Sequence, residues 1–289
     1  MVGREEEAAV LRMSSLRVLR QADLADVLDL LAHDPVAHVF VESRIRAVGL
    51  DPVRLSGELW GHIVDGQLRA LCHSGANLVP VEAGLEAARV FADRARRQGR
   101  RCATIVGPRE SVAPLWELLE PSWGPAREVR PNQPLMATST ASPVPADPLV
   151  RRVRPDEIDV LLPACVAMFT EEVGVSPVGA DGGAAYRARV AELIRSGRSF
   201  ARIEDGRVMF KAEIGSVTPS ACQVQGVWVA PELRGLGLSV PAMAAVVDIS
   251  LREIAPTVGL YVNDYNTAAR ATYRRVGMTD RGTFMSVLF

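Results

Sequence analysis

The segment Val227–Pro241, which reads VWVAPELRGLGLSVP, decides how this chain of 289 residues is interpreted. An apolar strand is predicted to end at Ala230-Pro231, and a glycine-rich turn then leads into a helix. Gly235 and Gly237 leave backbone N–H groups uncovered at the start of that helix, where the helix dipole favours an anion. The segment therefore predicts a site for a diphosphate or a similar group.

Two common phosphate-binding motifs do not fit this segment. A Walker A loop is excluded because no Gly-Lys-Ser/Thr follows the glycines. The dinucleotide fingerprint is excluded because its third glycine and its downstream acidic residue are missing. The diphosphate must therefore belong to another class of ligand.

A second landmark is the segment Leu260–Met278, which reads LYVNDYNTAARATYRRVGM. Together the two segments resemble the GCN5-related N-acetyltransferase (GNAT) superfamily. The superfamily's acetyl-CoA motif is Arg/Gln-x-x-Gly-x-Gly/Ala after a strand of the form V-x-V-x-P, and Arg234–Ser239 fits it except at the last position. Its closing motif is N-x-x-A-x-x-x-Y-x-x-x-G-F, and the matching residues here are Asn266, Ala269, Tyr273 and Gly277, with Met278 in place of the Phe.

The resemblance implies that the chain binds acetyl-CoA (CoA). In the superfamily, the strand before the motif splays from its neighbour and its backbone holds the pantetheine arm, which corresponds here to Val227 and Val229. Ser239 replaces the Gly or Ala of the motif. A serine there is able to cap the helix, so we still expect the loop to bind phosphate. Asn266 is expected to cap the following helix and to contact the pantetheine or diphosphate. The implied cofactor-binding residues are Val227, Trp228, Val229, Arg234, Gly235, Leu236, Gly237, Leu238, Ser239 and Asn266.

Acetyl transfer needs a neutral amine, a polarised thioester carbonyl and a proton for the leaving thiolate. By family analogy Tyr273 is the acid, and a core aromatic is the competing interpretation. Some members carry a glutamate base on the strand before the motif, but here that strand reads CQVQG and has no carboxylate. Gln225 is able to position a water. Glu213 is the nearest alternative base, although a salt-bridged or solvent-facing Glu213 is the stronger expectation.

Acceptor specificity in the superfamily comes from the segment after the first helix, which is Met168–Pro177 here. Phe169, Glu171 and Glu172 are the candidate residues for holding a cationic amine such as a peptide N-terminus, a lysine or a polyamine. An ordinary solvated helix end explains the two glutamates equally well. The sequence does not choose between these interpretations.

The two halves of the chain look alike, and both are predicted to be α/β with mixed sheets flanked by helices, that is, tandem acetyltransferase-like domains. Each half places Asp-Gly between alternating apolar residues, at Asp65-Gly66 and Asp205-Gly206, which predicts a hairpin. The first half carries Ser74–Asn77 where the motif is expected, between a strand at Leu68–His73 and a helix from Gly84. It is interpreted as a degenerate copy, as in a two-domain actinobacterial arrangement. The predicted domains are 1–132 and 149–289, with a Pro-, Ser- and Thr-rich linker at 133–148.

The composition excludes several other classes of protein. Apolar residues make up 48%, charged residues 23%, and the net charge is −1, so a full core is expected and nucleic acid is not an expected partner. No apolar run is long enough for a membrane span and the N-terminus is not a secretory signal, which favours the cytoplasm. The four cysteines are far apart and the histidines are scattered, so no metal site is expected. Lys211 is the only lysine, which argues against Schiff-base catalysis.

The sequence therefore predicts an N-acetyltransferase that passes the acetyl group of acetyl-CoA directly to an amine of a peptide, protein or small molecule, without a covalent enzyme intermediate. The N-terminal domain is expected to shape the acceptor site or to mediate homodimerisation. Two alternatives stay open. One is a catalytically weak CoA-binding sensor, and the other is a transferase for a larger acyl group such as succinyl.

Overall fold

The computed structural model describes residues 14–179 and 182–289. In chain order the strands are β1 (Ser14–Val18), β2 (Glu58–Val64), β3 (Gln67–Ser74), β4 (Asn77–Val81), β5 (Thr104–Pro108), β6 (Glu128–Thr138), β7 (Arg151–Arg152), β8 (Ser199–Glu204), β9 (Arg207–Val217), β10 (Cys222–Val229), β11 (Val258–Tyr261) and β12 (Thr279–Leu288). The helices are α1 (Leu24–Leu31), α2 (Val39–Val48), α3 (Pro52–Leu55), α4 (Leu85–Gln98), α5 (Arg109–Trp123), α6 (Ile158–Val173), α7 (Ala184–Arg195), α8 (Ser239–Glu253) and α9 (Thr267–Arg275).

The chain divides into two compact units. Unit 1 contains residues 14–33, Val48–Val129 and Met285–Phe289. Unit 2 contains Asp34–Ala47 and Arg130–Phe284. Each unit thus includes a piece of chain that lies far from the rest of it in sequence.

In unit 1 the strand order is β1-β2-β3-β4-β5, with the end of β12 beside β5. The pairs from β1 to β4 are antiparallel, and β4 and β5 are parallel. The core lies under α4 and α5, where Phe91, Leu115 and Trp116 pack with Trp60 and Ile105 of the sheet. The amphipathic helices supply this apolar face because small and aromatic residues recur on one side of each.

In unit 2 the order is β6-β11-β10-β9-β8-β7, with the start of β12 beside β6. Only β10 and β11 run parallel among the pairs whose register is defined in this unit. The core joins Phe200, Phe210 and Val258 of the sheet to the buried face of α8, which includes Met243 and Val247. Helix α6 packs over a separate apolar cluster on β8 and β9.

The two units repeat one order of elements: strand, helix, hairpin, strand, helix, strand, helix. The predicted hairpin turns are confirmed, since φ is positive at Asp65 (50°), Gly66 (79°), Asp205 (48°) and Gly206 (71°), as a type I′ turn requires. The predicted tandem α/β fold with mixed sheets is therefore confirmed.

The predicted boundaries differ from the structure in three places. Strand β4 was missed, and Ser74–Asn77 is only the turn that precedes it. Part of the predicted linker belongs to β6, because that strand continues through Pro134 and its residues Leu135–Thr138 pair with β11. Residues 34–47 and 285–289 also belong to the opposite unit from the one that the boundaries assign. Among the described residues, no helix has the length and apolar content that a membrane crossing requires.

Candidate active site

An opening between β10 and β11 forms the centre of the site. The two strands pair only at Cys222↔Val258 and Gln223↔Gly259. Strand β10 stays paired to β9 as far as Val229, with a bulge between Gln225 and Trp228. One backbone edge of β10 thus lacks a strand partner along its second half, within the described part of unit 2. The predicted contact residues Val227 and Val229 lie on this half, and both are half-buried.

The glycine-rich loop lies between the end of β10 and the start of α8. Gly235 (φ +79°) and Gly237 (φ +84°) adopt the left-handed conformation, and a Cβ at either position would meet open space. Leu236 is 73% exposed. Five backbone N–H groups have no hydrogen-bond partner in the described chain, and they belong to Gly235, Gly237, Leu238, Ser239 and Val240. The loop and the helix end therefore provide a set of donors suited to an anion.

Ser239 does not cap helix α8, which corrects the expectation. The N-cap position is Leu238, and no side chain caps the helix. The Ser239 hydroxyl instead lies 3.0 Å from Thr272 Oγ1 on α9. The backbone donors of the first turn thus remain available to a ligand. Asn266 caps α9 as predicted, because its side-chain oxygen accepts from the Ala269 N–H at 3.1 Å.

Arg234 connects the loop to helix α6. Its Nε donates to the Val229 carbonyl at 3.0 Å, and its Nη2 donates to Glu171 at 2.8 Å. The Trp228 indole N–H donates to the other oxygen of Glu171 at 3.3 Å. Both oxygens of Glu171, a predicted acceptor-binding residue, are therefore already engaged.

Below the bulge lies a buried polar cluster. Lys211, only 1% exposed, donates to Glu213 Oε2 at 3.1 Å and to Cys165 Sγ at 3.4 Å. The Gln225 amide donates to the other Glu213 oxygen at 2.9 Å. Burial lowers the pKa of Lys211, but the charges of Glu213 and Cys165 and the hydrogen bonds to both together outweigh this, so the pKa is raised and the ammonium stays charged. The expected salt-bridged Glu213 is thus what the structure shows.

A Cβ at Gly226 would lie 3.2 Å from both the Glu213 carboxyl carbon and Lys211 Nζ. Gly226 has a φ of +59°, and it makes the β-bulge. A glycine inside an alternating strand is a known signal for a bulge, and this one could have been found from the sequence.

Tyr273 lies on α9 and is 6% exposed. Its hydroxyl has no hydrogen-bond partner among the residues that the structure describes. Burial raises the pKa of this phenol well above its usual value, and the nearby Glu172 charge raises it further. The group is therefore a protonated donor at neutral pH.

Helix α6 continues to Val173 and ends at Gly174 (φ +77°), so Phe169, Glu171 and Glu172 lie in the helix and not after it. The Phe169 ring meets Tyr186 edge-on, with centroids 5.6 Å apart. The Glu172 side chain is exposed to solvent. Partial desolvation of its carboxyl group by the surrounding protein raises its pKa, against the opposing effects of Arg130 and Lys211.

Unit 1 differs at the corresponding position. Its strand β4 reaches α4 through the short loop Glu82-Ala83-Gly84, and Glu86 follows in the first turn. A cavity of about 440 Å³ lies here, and its lining includes Asp65, Glu82 and Glu86 with Arg69. Carboxylates near a helix N-terminus repel a phosphate. This lining therefore disfavours a diphosphate in unit 1.

Two family models match the chain. Residues 180–278 match the acetyltransferase (GNAT) family, and residues 57–161 match a domain of unknown function, DUF4081. No curated protein matches this sequence. The match to the acetyltransferase family contains the glycine-rich loop, Asn266 and Tyr273.

Solved structures with the same fold cover nearly the whole chain. A GCN5-related N-acetyltransferase from Sphaerobacter thermophilus is 18% identical, with a TM-score of 0.61 and 95% of each chain covered. A GNAT-family acetyltransferase from Colwellia psychrerythraea is 12% identical (TM-score 0.55; 95% of this chain and 99% of that one). A tandem GNAT protein from the clavulanic acid biosynthesis pathway is 16% identical (TM-score 0.52; 96% and 98%). Residues 180–278 therefore match the acetyltransferase (GNAT) family, and the chain as a whole has the fold of these acetyltransferases, including a tandem one.

Proposed function

We propose that unit 2 is an acyl-CoA-dependent N-acyltransferase that uses acetyl-CoA and an amine acceptor. One observation carries the proposal: an unpaired strand edge leads directly into a loop with five free backbone donors. An open strand edge suits the amide groups of a pantetheine arm, and the donor loop suits its diphosphate. The two features follow one another in the order that CoA requires.

The residues fit CoA. Backbone N–H groups of the loop from Gly235 to Val240 would hold the diphosphate, and the backbone of Val227 and Val229 would hold the pantetheine. When bound, acetyl-CoA supplies an activated thioester. Arg234 orients the loop through its bonds to Val229 and Glu171 and adds positive charge near the phosphates.

Tyr273 is proposed as the acid that gives its hydroxyl proton to the departing sulfur, and its oxygen then takes the proton that the acceptor nitrogen loses as the amide forms. The raised pKa of Tyr273 keeps the proton on Oη at neutral pH before transfer. The cysteines of unit 2 are poor nucleophiles, because burial raises the pKa of Cys165 and raises that of Cys222 to about 12. This supports transfer directly to the amine over an acyl-enzyme formed on a cysteine.

The acceptor is proposed to be a peptide, protein or small-molecule amine that enters beside Phe169 and Glu172. The first unit would shape the acceptor site or mediate homodimerisation. A cytoplasmic location is proposed on the grounds of composition. Lack of a diphosphate loop in the described part of unit 1 supports a single CoA site, in unit 2.

The test is CoA binding and amine-dependent thiol release by wild type, Gly237→Val and Gly282→Ala. A β-branched residue at φ +84° strains the loop by about 1–3 kcal/mol, so CoA affinity should fall about tenfold or more in Gly237→Val. Gly282 has open space around it and no positive φ, so Gly282→Ala should behave as wild type.

Saturable CoA binding without thiol release for any amine would contradict the transferase and leave a CoA sensor. A preference for a larger acyl-CoA would support N-acyl transfer but show that the transferred group is not acetyl. Equal CoA affinity in Gly237→Val and wild type would contradict the assignment of the loop.

A further inference from the structure

We propose that Glu172 is the general base, the residue that takes a proton from the acceptor amine. The inference rests on the proposed function and assigns a base that the strand before the loop does not supply. Glu172 accepts one proton from the protonated acceptor nitrogen, which leaves a neutral amine with a free lone pair. The resulting carboxylic acid then returns the proton to water.

The first argument is the face of α6 on which Glu172 lies. Met168, Glu171 and Glu172 are spaced i, i+3 and i+4, so they share one face of the helix. The Met168 methyl would lie 3.0 Å from a Cβ at Gly226, and Glu171 bonds to Trp228. This face is therefore turned toward the bulged and open half of β10.

The last turn of α6 also reaches the other side of the opening. Arg130, at the start of β6, donates from Nη2 to the Glu172 carbonyl at 2.7 Å. The following residues of β6 accept bonds from the chain just beyond β11: Val262 N–H donates to Pro134, and Asp264 N–H donates to Asn132, each at 3.2 Å. Glu172 is thus held where the two strands separate.

The second argument compares the candidate carboxylates. A general base needs an unengaged lone pair within reach of the acceptor. Glu213 receives bonds from Lys211 and Gln225 on its two oxygens, and Glu171 receives bonds from Arg234 and Trp228. The Glu172 carboxylate has no hydrogen bond or ion pair among the described residues. It is the one of the three that is free to take a proton.

The third argument is electrostatic. Desolvation and the charge of Glu213 on β9 raise the pKa of Glu172, and Arg130 on β6 and Lys211 on β9 oppose them. The Glu172 charge in turn raises the pKa of Tyr261 on β11 and of Tyr273 on α9, while its helix neighbour Glu171 is paired with Arg234. The helix C-terminus also disfavours a negative charge there. A carboxylate with a raised pKa is a better base near neutral pH, and it faces the same opening as the acid Tyr273.

The experiment measures amine-dependent thiol release by wild type, Glu172→Gln and Glu192→Gln across pH. Loss of a general base typically costs 10²–10⁴-fold, so kcat of Glu172→Gln should fall about a hundredfold or more, and the acidic limb of the profile should disappear. CoA affinity should be unchanged. Glu192 is an exposed residue of α7 paired with Arg195, so Glu192→Gln should match wild type.

Three results would overturn the proposal. A Glu172→Gln enzyme with the wild-type rate and pH profile is one, and it would leave the transferase itself intact. The second is a raised KM for the amine while kcat and the acidic limb of the pH profile stay unchanged. That result would show that Glu172 binds the amine without accepting its proton. No amine-dependent release by wild type would remove the proposed function and this role together.

Discussion

Tyr273 shows how the surroundings of one residue define its chemistry. Its ring is packed in the core of unit 2, and its hydroxyl has no partner among the described residues. A purely structural tyrosine of this burial normally satisfies its hydroxyl with a hydrogen bond. The unpaired hydroxyl therefore favours a role toward a ligand over a role in packing alone.

Replacing Tyr273 by Phe removes the proton donor and keeps the packed ring. We expect amine-dependent thiol release to fall about a hundredfold or more, as for loss of an acid catalyst, with CoA affinity and melting temperature close to wild type. Tyr265→Phe is the matched control, since Tyr265 is 68% exposed. Steady-state kinetics and CoA titration make the comparison, and an unchanged kcat in Tyr273→Phe would show that another group protonates the sulfur.

At the scale of elements, both units start their first helix with the same ionic arrangement. In unit 1, Arg17 binds both oxygens of Asp23, which also accepts from the Arg20 N–H. In unit 2, Arg151 binds both oxygens of Glu157, which accepts from the Arg154 N–H. The spacing from the arginine to the carboxylate is the same in both, which supports the interpretation of the chain as a duplication.

The arrangement in unit 2 predicts a pH dependence of stability. Hydrogen bonds from Arg151 lower the pKa of Glu157 from 4.5 to about 2, despite the opposing effect of burial. A depressed folded-state pKa stabilises the fold above the unfolded-state value, and this stabilisation is lost as pH falls toward about 2. Glu157→Gln should therefore lower the free energy of unfolding at pH 7, and its difference from wild type should shrink below about pH 4.5.

Urea unfolding at pH 7, 5, 4 and 3 measures this difference, with Glu192→Gln as the exposed control. A deficit for Glu157→Gln that stays constant over that range would show that the side chain contributes through packing and not through its charge.

Elements with a strong local signal were predictable from the sequence. Strand β10, the Asp-Gly turns and the Asn266 cap were all predicted, because alternation, positive φ and capping are properties of neighbouring residues. Strand β4 was missed because it is short and contains Pro80, which weakens a strand signal. The pairing of Glu171 with Arg234 was not predictable, because the two lie 63 residues apart and only the fold brings them together.

For the whole molecule, the segment Asp34–Ala47 belongs to unit 2 although it lies in the first half of the sequence. Ser43 Oγ accepts from the Val217 N–H at 3.2 Å, and Val36 packs against Gly259. Val41 and Ile45 are each 1% exposed. Unit 2 therefore uses apolar surface that the predicted domain 149–289 does not contain.

A fragment of residues 149–289 should consequently fail to form a native core, because it lacks both α2 and β6. Near-ultraviolet circular dichroism should show lost tertiary packing, and unfolding should be non-cooperative, while the full chain unfolds cooperatively. Cooperative unfolding of the fragment with CoA affinity equal to the full chain would contradict this expectation.

The exchange of segments between the units has a consequence for synthesis on the ribosome. Unit 1 contains Met285–Phe289, where Phe289 meets Trp116 and Trp123 edge-on and Arg100 over its ring. Most tandem domains fold one after another as they emerge, the first before the second is made. Here the nascent first unit cannot cover its β5 edge until Met285–Phe289 have been made, so its folding is completed only after most of unit 2 has been synthesised.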